Sequence, residues 1–160
     1  MKPNKIARQY RELAIKGATP VGLILILYDM TIESLAHAMR EMDAGNIEAR
    51  TVELNHALAA ISELQRSLNM EAGGDVAKRL SDLYDVARGK ILEANIKVSK
   101  KTLEQLMNVM SSVREAWLVV EEKTAGQPGM AAAQEAPALV RTAAPAAEQE
   151  ESSRQLQWSV

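Results

Sequence analysis

The stretch TPVGLILILYDM, residues 19–30, decides how this chain folds. From Val21 to Tyr28 it carries no charge, and most of its side chains are large and aliphatic. The run is too short to span a bilayer, which takes about 20 apolar residues. It is also too rich in aliphatics for one face of an ordinary surface helix, so something must cover the rest. Thr19-Pro20 opens it as a helix start: threonine can accept a backbone N–H as N-cap, and proline suits the first helical position. The helix should run to about Asp43, where Ala44-Gly45 breaks it. Its second half narrows to Leu35, Met39 and Met42 on one side, with Glu33, Arg40 and Glu41 outside.

Three more helices follow from the spacing. Asn46 can cap a second, along which Ile47, Leu54, Leu58, Ile61 and Leu68 keep the three- and four-residue spacing of a packing seam. The segment NMEAGGD should stop it, with Gly73 and Gly74 free to take positive φ and Asp75 placed to cap what comes next. A third helix is expected over about 76–95, with Val76, Leu80, Leu83, Ala87 and Ala94 as its seam and Tyr84 and Ile91 broadening it. The fourth, about 100–122, has the cleanest heptad: Leu103, Leu106, Met110, Val113, Trp117 and Val120. Helices of similar length joined by short turns alternate direction, so the fold class expected is all-α, an antiparallel up-down four-helix bundle over 18–123.

Two flanks complete the organisation. Residues 1–17 read as a short basic arm or helix with Ile6, Tyr10 and Leu13 on one face, ended by Gly17. After Lys123, residues 124–160 are rich in Ala, Gln, Glu, Pro and Ser, a composition for a disordered tail; its terminal LQWSV is the apolar exception.

The bulk numbers agree. The 160 residues are 47% hydrophobic but only 3% aromatic, without phenylalanine, so the core is aliphatic, as suits packed helices. A formal charge of −2 with no dominant basic face argues against nucleic acid. Without cysteine there is neither disulfide nor thiolate metal site. The basic N-terminus lacks the apolar core of a signal peptide, and a soluble, cytosolic protein without membrane insertion is expected.

Chemistry is hard to find. His37 and His56 lie on different helices without a Cys nearby or a second His at i+3 or i+4. ELNH, residues 53–56, matches once the Glu-x-x-His pattern of ferritin-like bundles, and its companion is missing. EAGGD lacks the GK[ST] of a phosphate loop. Asp29, Asp82 and Asp85 read as solvated helix positions, and no serine has a His–acid constellation. The chain is expected to be no enzyme and to use no cofactor. What remains is surplus grease in the first helix: Ile24, Leu27, Tyr28, Leu35 and Met42 share one side, while Leu23, Ile26 and Met30 point elsewhere. Either neighbouring segments cover it, the N-terminal arm among them, or it forms a groove for a partner's amphipathic helix.

Several separated pieces resemble one family. They are Tyr10 ahead of ATP and a Leu-rich stretch ending in LYD (27–29); GNIEA at the second helix; SLNMEAGGDVAKRLSDLYD (67–85); ILEAN (91–95); and VREAW (113–117). In order and spacing they resemble the flagellar secretion chaperone FliS family. The resemblance implies a helical bundle that binds the C-terminal segment of flagellin, which becomes helical along hydrophobic surfaces of the chaperone. It implies that binding stops premature polymerisation and that the complex is delivered to the flagellar type III export gate, without nucleotide, metal or covalent chemistry. It also implies that the N-terminal segment can lie over the groove, with Tyr10 mattering at handover and Ile6 one turn earlier. The groove residues expected are Leu23, Ile24 and Leu27 of the first helix and Leu54, Ala57, Leu58 and Ile61 of the second, in a monomer. The alternative is a generic adaptor whose surplus closes a homodimer. Two departures stand out: Val21-Gly22 replaces the acidic residues common after the family's small-residue-Pro start, and the tail is longer than the family needs.

Overall fold

The computed structural model describes residues 19–124, with Arg8, Glu12 and Gly17 before them. Among the described residues there are four helices and no strand: α1 Pro20–Asp43, α2 Ile47–Arg66, α3 Met70–Lys97 and α4 Lys100–Thr124. The arm expected over 1–17 and the tail expected over 124–160 lie outside the described residues, apart from those named.

The caps explain the boundaries. Thr19 is extended (φ −63°, ψ 156°), and its hydroxyl accepts the Gly22 N–H at 2.9 Å, so α1 starts where Thr-Pro places it. Gly45, at φ +69°, takes the left-handed conformation that lets the chain turn after α1. Asn46 caps α2 by accepting the Ala49 N–H at 3.2 Å. Asn69 does the same for α3 through the Ala72 N–H at 3.0 Å. Here the expected start near 76 needs correcting, because the helix begins at Met70. Asn69 is a good cap and Glu71 favours the positive end of a helix, so NMEAGGD winds instead of breaking. Only Gly74 leaves helical geometry (φ 49°, ψ −130°), kinking α3 at its second turn. α3 closes on Val98, a β-branched residue in the left-handed region (φ 52°, ψ 49°).

Each helix packs on its neighbours in sequence, and α1 closes the ring on α4; the α1–α2 pairing is the most extensive. Side-chain bonds fix the directions. Lys100 at the start of α4 reaches Asp43 at the end of α1 (2.7 Å), while Thr19 and Glu121 meet at the other ends (3.4 Å). Arg114 of α4 grips Asp29 of α1 midway. Between α2 and α3, Arg50 Nε donates to Asn95 Oδ1 (3.0 Å) and Gln65 Nε2 to Ser81 Oγ (2.9 Å). Both pairings run antiparallel.

The aliphatic core follows the expected seams, except that Ile47 is exposed and Leu68 lies past the end of α2. Leu103, Leu106, Met110, Trp117 and Val120 of α4 are buried, with Val113 half-buried. On α2 the buried line is Leu54, Ala57, Ala60, Ile61 and Leu64, whereas Ile47 is 66% exposed. Ile47 is the first residue of α2 and has no further layer beneath it, so helical spacing alone overstated the seam. The small Ala57 and Ala60, both fully buried, let neighbouring helices approach closely. The apolar half of α1 is also better covered than its sequence suggests. From Val21 to Tyr28 no residue is exposed, and Leu27 and Tyr28 are buried completely. As a whole, α1 is long and apolar enough to cross a bilayer by length and composition alone; here it is a core helix packed between α2 and α4. The large apolar side chains left exposed lie on the other three helices and their ends.

Candidate docking site

At one end of the bundle the start of α1, the end of α2, the start of α3 and the last turns of α4 border a small cleft open to solvent. The α2–α3 turn forms its rim, with Ser67 and Asn69. Leu68 and Val76 line it together with Ile24 of α1 and Trp117 of α4. Gly73, beside the Gly74 kink, also lines it, so the kink shapes the wall between rim and α3. Leu64, Leu80 and Tyr84 are buried and serve as floor, whereas Ile24, Leu68 and Val76 are half-buried and available from outside. An apolar concavity with a polar rim suits an apolar side chain presented by another segment.

Beneath the floor lies a polar pair. The Tyr28 and Tyr84 hydroxyls are 2.8 Å apart, and their rings tilt by 57° with centroids 6.4 Å apart. Burial pushes the Tyr28 phenol up to about 12, against the lowering influence of Tyr84 and the Trp117 indole. Burial also drives Tyr84 well above its ordinary value, reinforced by Tyr28. Both are therefore neutral at physiological pH, and the pair is a structural bolt rather than an acid or base. The Trp117 N–H lies near enough to favour the Tyr28 phenolate, yet it completes no hydrogen bond of acceptable geometry.

Of the seven expected groove residues, the cleft gathers Ile24 alone. Leu23 is half-buried on α1 outside it, and Leu58 is half-buried on α2, packed against the core. Leu27, Leu54, Ala57 and Ile61 are core residues, between 0% and 2% exposed, and in this arrangement offer no surface to a partner. Ile6 and Tyr10 lie outside the described residues. Leu68, Val76 and Trp117 were legible as apolar seam positions but not as cleft walls. The signal for them was the glycine pair, whose second member kinks α3 beside the cleft.

The acidic and imidazole groups form a surface cluster. Glu53 Oε2 sits 3.7 Å from Nδ1 of both His37 and His56, and His37 Nε2 lies 3.8 Å from Glu33. So ELNH gains a histidine from α1 rather than a second Glu-x-x-His. Among the described residues no group of three or more such side chains is arranged to hold a metal ion.

Comparison with known proteins agrees with this architecture. Residues 3–124 match the family described as Flagellar protein FliS. The chain is 31% identical over 117 residues to the flagellar secretion chaperone FliS of Salmonella typhimurium, covering 72% of this chain and 87% of that one. It is 33% identical over 103 residues to the protein of that name from Vibrio cholerae, covering 64% and 76%. It is also 27% identical over 117 residues to flagellar secretion chaperone FliSB of Pseudomonas aeruginosa, covering 71% and 93%.

Proposed function

The chain belongs to the flagellar protein FliS family, a family of chaperones rather than enzymes, and from that premise we propose that it is a cytosolic export chaperone for flagellin. In this reading it takes the C-terminal segment of flagellin on its apolar surfaces, keeps the subunit from polymerising early, and supports delivery to the flagellar type III export apparatus. The observation that carries the reading is the cleft: half-buried Ile24, Leu68 and Val76 converge where a single chain leaves space unfilled. Apolar side chains of an amphipathic helix would fill it, and burying apolar area yields about 25 cal/mol per Å². Ordering the ligand costs part of that gain, so contacts beyond the cleft are required; Leu23 and Leu58 are candidates. The basic arm, through Ile6 and Tyr10, is proposed to lie over this region until a subunit displaces it.

The test is titration of the full chain with the C-terminal segment of the cognate flagellin, read by calorimetry and sedimentation. One segment per monomer is expected, with Ile24→Asp abolishing binding while helical circular dichroism persists. A tight dimer indifferent to the segment would replace this reading with a self-associating adaptor.

A further inference from the structure

The opposite end of the bundle carries a second unfilled feature. Arg50 is only 9% exposed, and its bonding partner is the Asn95 side-chain oxygen, a neutral acceptor, at 3.0 Å. Among the described residues no carboxylate pairs with it. A guanidinium so far out of water without an opposite charge is expensive unless something supplies one. Five of the large apolar side chains left in solvent lie within three residues of one member of this pair along the chain: Ile47 at 66% exposed, Val52 at 46%, Leu92 at 54%, Ile96 at 82% and Val98 at 52%. Cations also gather there. Lys90 and Lys97 share the single carboxylate of Glu93, Lys100 holds Asp43, and Lys101 is exposed. Those carboxylates are taken up by the lysines, which leaves Arg50 with the neutral Asn95 oxygen alone. The patch therefore asks for a ligand with carboxylates and apolar side chains together.

The chain itself contains such a segment. EQEESSRQLQW, residues 148–158, places Glu148, Glu150 and Glu151 ahead of Leu156 and Trp158, with Arg154 as its one cation. α4 ends at the far pole, so the segment must travel back along α4, about 36 Å at 1.5 Å per residue. Twenty-three residues lie between Thr124 and Glu148, enough to reach about 80 Å when extended. We propose that residues 148–158 dock on the Arg50–Asn95 patch of the same molecule, acidic side chains toward Arg50 and the α3–α4 lysines, Leu156 and Trp158 against Ile47, Leu92 and Ile96. The inference is independent of what fills the cleft at the other pole.

The chain has no cysteine, so Ser153→Cys in the full-length protein gives a unique site for a nitroxide label. The expected result is selective loss of amide signals over residues 47–51 and 95–101 in the labelled, isotope-enriched chain at low salt. The signals should return on raising the salt, and in the variant also carrying Glu148→Gln, Glu150→Gln and Glu151→Gln, whose changes leave the bundle untouched. Mixing labelled, unenriched chain with unlabelled, enriched chain distinguishes a second copy: broadening in the unlabelled molecules overturns docking within one chain. Broadening centred on Ile24, Leu68 and Val76 instead places the segment in the cleft and overturns the proposal, as does the absence of any selective broadening.

Discussion

The hydroxyls of Tyr28 and Tyr84 meet 2.8 Å apart across the bundle diagonal, joining α1 to α3, two helices that otherwise pack only through their neighbours. The pair is buried among aliphatic side chains, where each hydroxyl is the other's hydrogen-bond partner. Tyr28→Phe therefore leaves the Tyr84 hydroxyl buried without Tyr28. A loss of about 1–3 kcal/mol in urea unfolding is expected, and less in the Tyr28→Phe/Tyr84→Phe double variant, which removes both polar groups. Equal or additive losses would show that the bond contributes nothing specific.

The same pair sets an alkaline limit. Folded Tyr28 titrates near 12 rather than its ordinary 10, so between those values the unfolded chain has released a proton that the folded chain retains. The stability this protects is intact below pH 10 and declines as pH rises from 10 toward 12. The melting temperature should fall across that window, and fall less steeply in the double phenylalanine variant.

Gly74→Ala tests the kink. With φ 49° and ψ −130°, Gly74 adopts a conformation that an L side chain tolerates poorly, although open space surrounds it. A cost of about 1–3 kcal/mol is expected. If the kink shapes the wall, the substitution should also weaken binding of the flagellin segment proposed as ligand beyond what the stability change accounts for, as titration at a temperature where the variant remains folded would show.

Val98 offers the reverse case. It holds φ 52° and ψ 49° at the end of α3, a conformation that glycine takes without penalty. Val98→Gly should stabilise the chain by about 1 kcal/mol, measured by denaturant midpoint, despite losing a half-exposed apolar side chain.

Gly22→Ala separates two opposing effects. Alanine favours a helix by about 1 kcal/mol over glycine. Here, however, a Cβ would stand 2.9 Å from the Thr19 hydroxyl oxygen and 3.2 Å from a Glu121 carboxylate oxygen. That displaces the cap, which is itself worth about 1 kcal/mol. The expected thermal unfolding shift is therefore zero or slightly negative rather than a gain, and a clear rise in melting temperature would show that the cap is dispensable.

Much of the bundle was legible because its signals are local. Thr19-Pro20 and Asn46 each carry the chemistry that starts a helix, and the spacing from Leu103 to Val120 has only one comfortable solution. NMEAGGD misled because glycine pairs usually break helices, while the capping strength of Asn69 competes from outside the pair. Groove residues were harder for a different reason. Periodicity ranks faces of a helix but cannot say how many neighbours each face has. Leu27 and Leu23 look alike in sequence, and only the approach of α2 and α4 makes the first a core residue and the second a boundary one. The patch around Arg50 was invisible because it depends on Asn95, 45 residues away.

Thr19 and Glu121 sit within 3.4 Å, so the chain enters and leaves the bundle at the pole that holds the cleft. A reporter spliced in directly before Thr19 or directly after Thr124 would therefore start beside that mouth. A reporter spliced into the Ala44–Gly45 bend, at the far pole, would leave the mouth clear.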